Sequence, residues 1–288
     1  MKPLPFVLLF VLCIGTAVGQ TITGKVLDAS TGEALIYVSI GVVDQPRGTI
    51  TNERGTFTLE TNGLSIEAVV RFSMIGYASQ TFTIKDLLDN AEKVFKLENI
   101  PISLSEVVVK PGKLRKVGAT KYSRMGNVCG WGGDKRGKGH EIGAKLELGE
   151  SPVSIRRLHV RVHKQSFDSS IFRLHVRNMV NDMPGDELLT KNILISITKE
   201  SGWVEIDLSK YNLIFHGTII LSLEWVTVKG TDENRFVRVR SYGEKLSPAP
   251  VVLFNTTKNQ YGIYTRWGSE AKWILHESGV PCYYLTVQ

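Results

Sequence analysis

Regular alternation of apolar and polar side chains between residues 156 and 226 is the feature that most constrains the fold of this 288-residue chain. In the first run, Leu158, Val160 and Val162 alternate with basic and histidine side chains. Similar alternation recurs at 172–177, 203–208 and 219–226, and turn-forming clusters separate the runs. A period of two indicates antiparallel strands with one face in the core. Residues 125–288 are therefore predicted to form one jelly-roll-like β-sandwich of about eight strands.

The polar positions of the first two runs concentrate basic side chains. If the two strands pair, these cations repel one another unless acids lie between them, and Glu205, Asp207 and Glu224 are the acids available. We therefore predict a solvated outer face with interleaved charges, and keep an anionic-ligand surface and a histidine metal site as alternatives. The candidate ligand-binding residues are Arg157, His159, Arg161, His163, Arg173, His175, Arg177 and Trp203.

A glycine-led first strand is followed by FRLHV, PGDELL, GWVEIDLSKY and LSLEWV. This order loosely resembles galactose-binding-like and carbohydrate-binding jelly-roll modules. Trp225 lies on an apolar face and is predicted to be core. For Trp203, Trp267 and Trp273 two interpretations stay open, because exposed tryptophans stack on sugar rings whereas buried ones fill sandwich cores. The resemblance implies carbohydrate binding.

Residues 20–109 alternate short β-branched runs with turn residues, which predicts a small β-sandwich. Four segments, GKVLDASTGEALIYVSIGVV, GTITNERGTFTLE, VVRFSMIGYASQTFTI and LSEVVVKP, follow one another in this order. Together they resemble the carboxypeptidase-like regulatory domain. That resemblance implies a seven-stranded transthyretin-like sandwich, of the type that extends the N-terminus of TonB-dependent receptors in Bacteroidetes-type envelopes. The predicted fold class is all-β, with two sandwich domains.

Catalytic motifs are missing from the sequence. None of the six histidines has Glu three residues later, and there is no HExxH, so the zinc ligands of a peptidase are not present. The stretch from Gly132 to Lys138 matches GxxxxGK, but Gly139 follows where a nucleotide-binding loop needs Ser or Thr. We predict a non-enzyme without cofactor or metal. The alternatives are a jelly-roll hydrolase of glycans that uses Glu205, Asp207 and Glu224, and a small outer-membrane barrel.

Charge and targeting signals predict where the protein acts. Residues 1–19 have the layout of a secretory signal peptide, with Lys2, an apolar run from Phe6 to Ile14, and small residues at Ala17 and Gly19. The formal charge of +7 divides unevenly, because residues 20–111 carry −3 and residues 112–288 carry +9. Six basic residues and no acid lie in the predicted linker, 110–124.

We therefore expect an exported protein in the periplasm, at the outer membrane or on the cell surface, with no spanning segment after signal removal. The expected partners are an envelope protein or an anionic glycan, and not nucleic acid. Export also permits a disulfide between Cys129 and Cys282, with two buried thiols as the alternative.

Overall fold

The computed structural model describes residues 21–90, 92–101, 112–123, 127–132, 138–239, 247–249, 251–258, 261–277 and 279–288. The predicted signal peptide lies outside these residues. Strands dominate the described chain, as the alternation predicts, and the one α-helix in it is α1, Ile84–Asp89, which a Thr83–Asp86 capping box begins. None of the helices in this part of the chain is long and apolar enough to cross a membrane.

The N-terminal domain, residues 21–101, has seven strands in two sheets, as the family resemblance implies. Sheet A has the order β4-β1-β7 and sheet B the order β3-β2-β5-β6. Val26, Ile40 and Phe72, all with no exposed surface, belong to the core between the sheets. The strands are β1 (Thr21–Asp28), β2 (Ser39–Val42), β3 (Gly48–Ile50), β4 (Thr56–Glu60), β5 (Val69–Ser73), β6 (Gln80–Thr83) and β7 (Val94–Leu97).

The C-terminal domain, residues 112–288, contains the other strands and two short 3-10 helices, Ser209–Tyr211 and Glu233–Arg235. The strands are β8 (Arg115–Gly118), β9 (Val128–Gly132), β10 (His140–Gln165), β11 (Ser169–Val180), β12 (Met183–Glu187), β13 (Ile193–Ile197), β14 (Gly202–Asp207), β15 (Ile214–Lys229), β16 (Val237–Val239), β17 (Ser247–Ala249), β18 (Val251–Thr257), β19 (Ile263–Trp267), β20 (Ile274–His276), β21 (Val280–Pro281) and β22 (Tyr283–Val287).

Strand β10 belongs to both sheets of this sandwich. Its first part, up to Ser154, pairs with β15 and β19 in sheet C, which β11, β12, β13 and β20 complete. From Ile155 onwards it pairs with β14, β18 and β22 in sheet D, which also holds β8 and β9. Register shifts around Gly149 (φ 89°) mark the crossing, since a bulge bends a strand and changes its course.

The core of the C-terminal domain contains the predicted apolar positions. Leu158, Val160 and Val162 of β10 are fully buried there, and so are Phe172, Leu174 and Val176 of β11. Trp225 is 1% exposed and packs in the same core, which confirms its prediction. Trp131 adds a second buried indole, 6.0 Å from Trp225 between ring centroids.

The two domains stack face to face through sheet B and sheet C. Strand β2 is buried on both faces, because Ile40 points into the N-terminal core while Ser39 contacts β15. Gly41 allows this close approach, since a Cβ there would lie 2.6 Å from the Ser269 hydroxyl. The stacking buries both faces of β15 from Ile219 to Val226.

The predicted linker differs from the structure in part. Residues Arg115–Gly118 are not an extended solvated segment: they form β8, an edge strand that pairs with β22 in sheet D. Arg115 and Lys116 remain exposed there, so the basic side chains of this segment lie at the rim of sheet D. Val117 is 8% exposed and packs in the C-terminal core, and this apolar contact stabilises the strand.

Candidate functional site

The eight candidate ligand-binding residues do not share one face. Arg157, His159, Arg161 and His163 lie on the sheet D part of β10, whereas β11 belongs to sheet C, where it pairs with β15. The core separates the outer faces of these sheets. The prediction of a single solvated face is therefore wrong for Arg173, His175 and Arg177, because the N-terminal domain covers them. The predicted exposure to solvent is correct for Arg157 and His163.

Three of the candidates come together in a surface groove on sheet D, which we call the aromatic groove. Its volume is about 570 Å³. His159 stacks on Tyr284, with ring centroids 4.1 Å apart and planes 6° apart, and Trp203 meets the same tyrosine edge-on at 5.1 Å. Pairing of β10 with β22 on one side and β14 on the other produces this contact. The groove is lined by Leu114, Arg115, Lys116, Arg157, His159, Trp203, Glu205, Tyr284 and Thr286.

The aromatic groove has a surplus of positive charge. Arg115, Lys116 and Arg157 line it, and Glu205 is the single acid among the lining residues. Glu205 lies 3.1 Å from the guanidinium of Arg157, so the interleaving of acids with cations is present here as predicted. Burial lowers the pKa of His159, although Glu205 opposes the shift. His159 is therefore neutral at pH 7, and its Nε2 lies 2.9 Å from the Thr286 hydroxyl.

The remaining sheet D candidates lie further along β10. The guanidinium of Arg161 is 4.5 Å from the ring centroid of Tyr122 and donates to the Val162 carbonyl at 2.7 Å. His163 lies 3.3 Å from the side-chain amide of Asn255. Neither belongs to the groove lining, although Arg161 pairs across strands with Trp203.

The sheet C candidates form a buried ion cluster with β10, β15 and the N-terminal domain. Arg173 and Glu224 are cross-strand neighbours and form an ion pair at 2.6 Å. Ser39 of the N-terminal domain accepts from Arg173 at 2.6 Å and donates to Glu224 at 2.7 Å, and the Tyr37 carbonyl accepts from Arg173 as well. We define the ion cluster as Glu141, Arg173, His175, Arg177, Glu187, Glu224 and Arg266.

His175 is enclosed by carboxylates within the ion cluster. Its Nδ1 lies 2.6 Å from Glu187, and its Nε2 lies 3.1 Å from Glu224 and 3.7 Å from Glu141. Burial opposes the charged imidazole, but the carboxylates of Glu141 and Glu187 outweigh burial and raise the pKa of His175. For Glu141, Glu187 and Glu224 burial is likewise outweighed by the neighbouring cations, which hold their pKa values below the ordinary range.

One set of three groups has a spacing that could hold a metal ion. Ligand atoms of Glu141, His175 and Glu224, one from each residue, lie within 4.8 Å of one another. The chemistry disfavours a cation, because Arg266 donates to Glu141, Arg173 donates to Glu224, and both imidazole nitrogens face carboxylates. A metal ion would have to displace guanidinium groups that already neutralise these acids. The arrangement fits a network of salt bridges.

The acids proposed for a hydrolase do not form one site. Glu205 and Asp207 lie on β14 in sheet D, and Glu224 lies on β15 in sheet C.

Six residues of the two clusters were not predicted from the sequence: Tyr284, Lys116 and Thr286 in the aromatic groove, and Glu141, Glu187 and Arg266 in the ion cluster. The alternation of the last strand was the available signal for Tyr284, but pairing with His159 depends on a long-range register.

The three tryptophans for which the sequence left two interpretations have different surroundings. Trp203 is half-buried in the aromatic groove, Trp267 is 39% exposed at the end of β19, and Trp273 lies beside the ion cluster.

Cys129 and Cys282 are separate thiols in the structure. Their segments pair with opposite edges of β18, so two strand spacings, about 9.5 Å, separate their backbones. Disulfides join Cα atoms up to about 6.8 Å apart, so this separation favours two thiols.

The geometry defines the N-terminal domain as a small β-sandwich docked on a larger one. Residues 22–109 match the family model described as the CarboxypepD_reg-like domain, and this part of the chain is a CarboxypepD_reg-like domain. It is a regulatory-like domain and not a catalytic carboxypeptidase domain.

Resemblance to whole proteins is slight. No curated protein matches the chain. A solved structure to which it is similar is described as "Structure of infectious bursal disease virus Gt strain", with 11% identity over 93% of this chain and a TM-score of 0.21. The match spans 62% of the viral chain, less than two thirds of its length.

Proposed function

We propose that this protein is an exported, non-catalytic binding accessory of the cell envelope that holds an acidic glycan in the aromatic groove of sheet D. The single observation that carries the proposal is the placement of Trp203 and the stacked His159–Tyr284 pair beside three cationic side chains. A sugar ring with a carboxylate or sulfate needs both features, an apolar ring surface and nearby cations.

The cations of the groove are available to a ligand. Arg157 keeps 45% of its side chain exposed although it pairs with Glu205, and an exposed pair of this kind is weak, so a ligand anion can compete for it. The side chain of Lys116 is exposed, and its ammonium lies over the ring of Tyr284, 5.4 Å from the ring centroid. The volume of about 570 Å³ is in the range of small-ligand sites.

Export is the second part of the proposal, and it rests on the signal-peptide pattern of residues 1–19. The CarboxypepD_reg-like domain supports an accessory role, since it is a regulatory-like module. N-terminal sequencing of the exported protein should give Gln20 as the first residue. An uncleaved N-terminus on protein confined to the cytoplasm would contradict this part.

A glycan array of acidic and neutral polysaccharides, probed with the intact chain at low and high salt, tests the binding proposal. Binding should be restricted to uronate or sulfate polymers and fall as salt rises, because screening weakens contacts between exposed charges. Arg157→Gln should weaken it several-fold, whereas Arg54→Gln, an exposed arginine of the N-terminal domain, should leave it unchanged. Equal binding to neutral glycans, or none to any glycan, would overturn the proposal.

A further inference from the structure

A cleft of about 400 Å³ lies between the two domains, beside the ion cluster and on the opposite side of the C-terminal sandwich from the aromatic groove. The N-terminal domain contributes Arg71, Ser73 and Tyr77 to its lining, and the C-terminal domain contributes Arg177, Ser269 and Trp273 among others. The indole of Trp273 forms part of the lining. The guanidinium carbons of Arg266 and Arg177 lie 5.0 and 5.9 Å from its ring centroid.

The carboxylates of the ion cluster at this cleft already have donors. Glu187 accepts from the Val176 and Leu189 backbone amides at 3.1 and 3.0 Å and has its other oxygen 2.6 Å from His175. Each of the two deeper carboxylates has at least three polar contacts: Glu141 with Arg177, Ser222 and Arg266, and Glu224 with Ser39, Arg173 and His175. A cationic ligand would find these carboxylates occupied.

Two buried donors at the same cleft lack partners among the described residues. The Ser269 hydroxyl is buried, on a residue that is 2% exposed, and it has no hydrogen-bond partner among the described residues. The Nε of Arg177 is also buried and without a partner in this part of the chain. At the mouth, Arg71 keeps 45% of its side chain exposed; it lies 3.7 Å from Glu270 and donates to the Ser79 hydroxyl at 3.2 Å. Buried polar groups are rarely left unsatisfied, and an excess of donors calls for a group that supplies acceptor oxygens.

We propose that the interdomain cleft binds a small oxyanion, the carboxylate or phosphate group of a small molecule, with Ser269, Arg177 and Arg71 as the donors. The cleft is then a second ligand site that needs both domains, because Arg71 comes from β5 of the CarboxypepD_reg-like domain and the other two residues come from the C-terminal sandwich. Arginine suits this task, since its planar fork matches two oxygens of a carboxylate or phosphate.

Isothermal titration calorimetry of the intact chain with inorganic phosphate and with acetate, each in a background of sodium chloride at fixed ionic strength, tests the proposal. Saturable binding of at least one anion at one site per chain is expected. Ser269→Ala and Arg71→Gln should each weaken it about tenfold or more, the loss expected for a hydrogen bond to a charged group.

Two controls assign the binding to this cleft. Arg54→Gln removes an exposed arginine that lines neither the cleft nor the aromatic groove, so it should leave phosphate or acetate binding unchanged. Circular dichroism confirms folding of each variant, and Arg71→Gln, at a half-exposed position, keeps the test valid if Ser269→Ala is unfolded. No saturable binding of either anion, or unchanged affinity in the folded variants, would overturn the proposal.

Discussion

Arg173 of β11 and Glu224 of β15 face each other in sheet C as an ion pair of 2.6 Å, and each side chain is only 1% exposed. Two charges can be buried this deeply because Ser39 bridges them, donating to Glu224 and accepting from Arg173. The pair therefore joins the CarboxypepD_reg-like domain to the C-terminal sandwich.

Removal of one partner of this pair should strongly destabilise the protein. Arg173→Met leaves Glu224 with reduced compensation in a buried site, and the free energy of unfolding should fall by about 3–5 kcal/mol. Arg157→Met is the matched control, since its partner Glu205 is exposed and the loss should stay below about 1 kcal/mol. Urea denaturation of both variants measures the difference, and similar losses would contradict a buried role for Arg173.

Glu187 should make stability sensitive to acid. Burial opposes its charge, but His175 and Arg177 hold its pKa below the ordinary value of 4.5. The unfolded state then binds the proton more readily, so the stabilisation by Glu187 is present above pH 4.5 and is lost as pH falls through the folded pKa. The stability difference between the wild type and Glu187→Gln should shrink between about pH 5 and 3. A constant difference over that range would show that the carboxylate is not shifted.

His175 should give the opposite dependence. Its pKa is raised above the ordinary 6.5, because nearby carboxylates outweigh burial, so its stabilisation is complete below pH 6.5 and is lost as pH rises through the folded pKa. His140 and His159 shift the other way, because burial lowers their pKa values. The stability difference between the wild type and His175→Gln isolates His175 and should diminish as pH rises above 6.5. A difference that grows with pH would exclude a protonated imidazole.

Gly41 should be intolerant of a side chain because the domains meet there. A Cβ at this position would lie 2.6 Å from the Ser269 hydroxyl and 2.8 Å from the Glu270 backbone. Gly41→Val should therefore loosen the contact, lower stability by roughly 1–3 kcal/mol and speed trypsin cleavage in the basic segment 110–124. Thr58→Val, at an exposed position of sheet A, is the control. An unchanged cleavage rate in Gly41→Val would argue against tight stacking.

The two cysteines should react as thiols only after unfolding. Burial raises the pKa of Cys129 to about 12, and that of Cys282 to about 12 as well, so neither forms the reactive thiolate at neutral pH. Titration of the protein without residues 1–19, which include Cys13, should find almost no reaction in the native state and two thiols per chain in denaturant without reductant. A count of zero thiols in denaturant would establish the disulfide instead.

The local part of this structure could be predicted from the sequence, and the long-range part could not. The inward positions Leu158, Val160 and Val162 follow from period-two alternation, which every strand carries in its own residues. The sheet assignment of β10 depends on the bulge near Gly149, and the burial of Arg173 depends on a second domain that covers sheet C. Neither the bulge nor the covering domain can be read from alternation. The residues predicted to form one basic face therefore lie on two sheets, some at the exposed aromatic groove and others in the buried ion cluster.

Titration calorimetry of a galacturonate oligosaccharide against two tryptophan variants tests the proposed function most directly. Trp203→Ala removes an aromatic ring from the groove, and Trp267→Ala removes an exposed ring of sheet C that lies outside it. We expect the intact chain and Trp267→Ala to bind with similar affinity, and Trp203→Ala to bind at least about tenfold more weakly, a loss of about 1.4 kcal/mol. Equal affinity in all three proteins, or no binding by the intact chain, would contradict a glycan site in the aromatic groove.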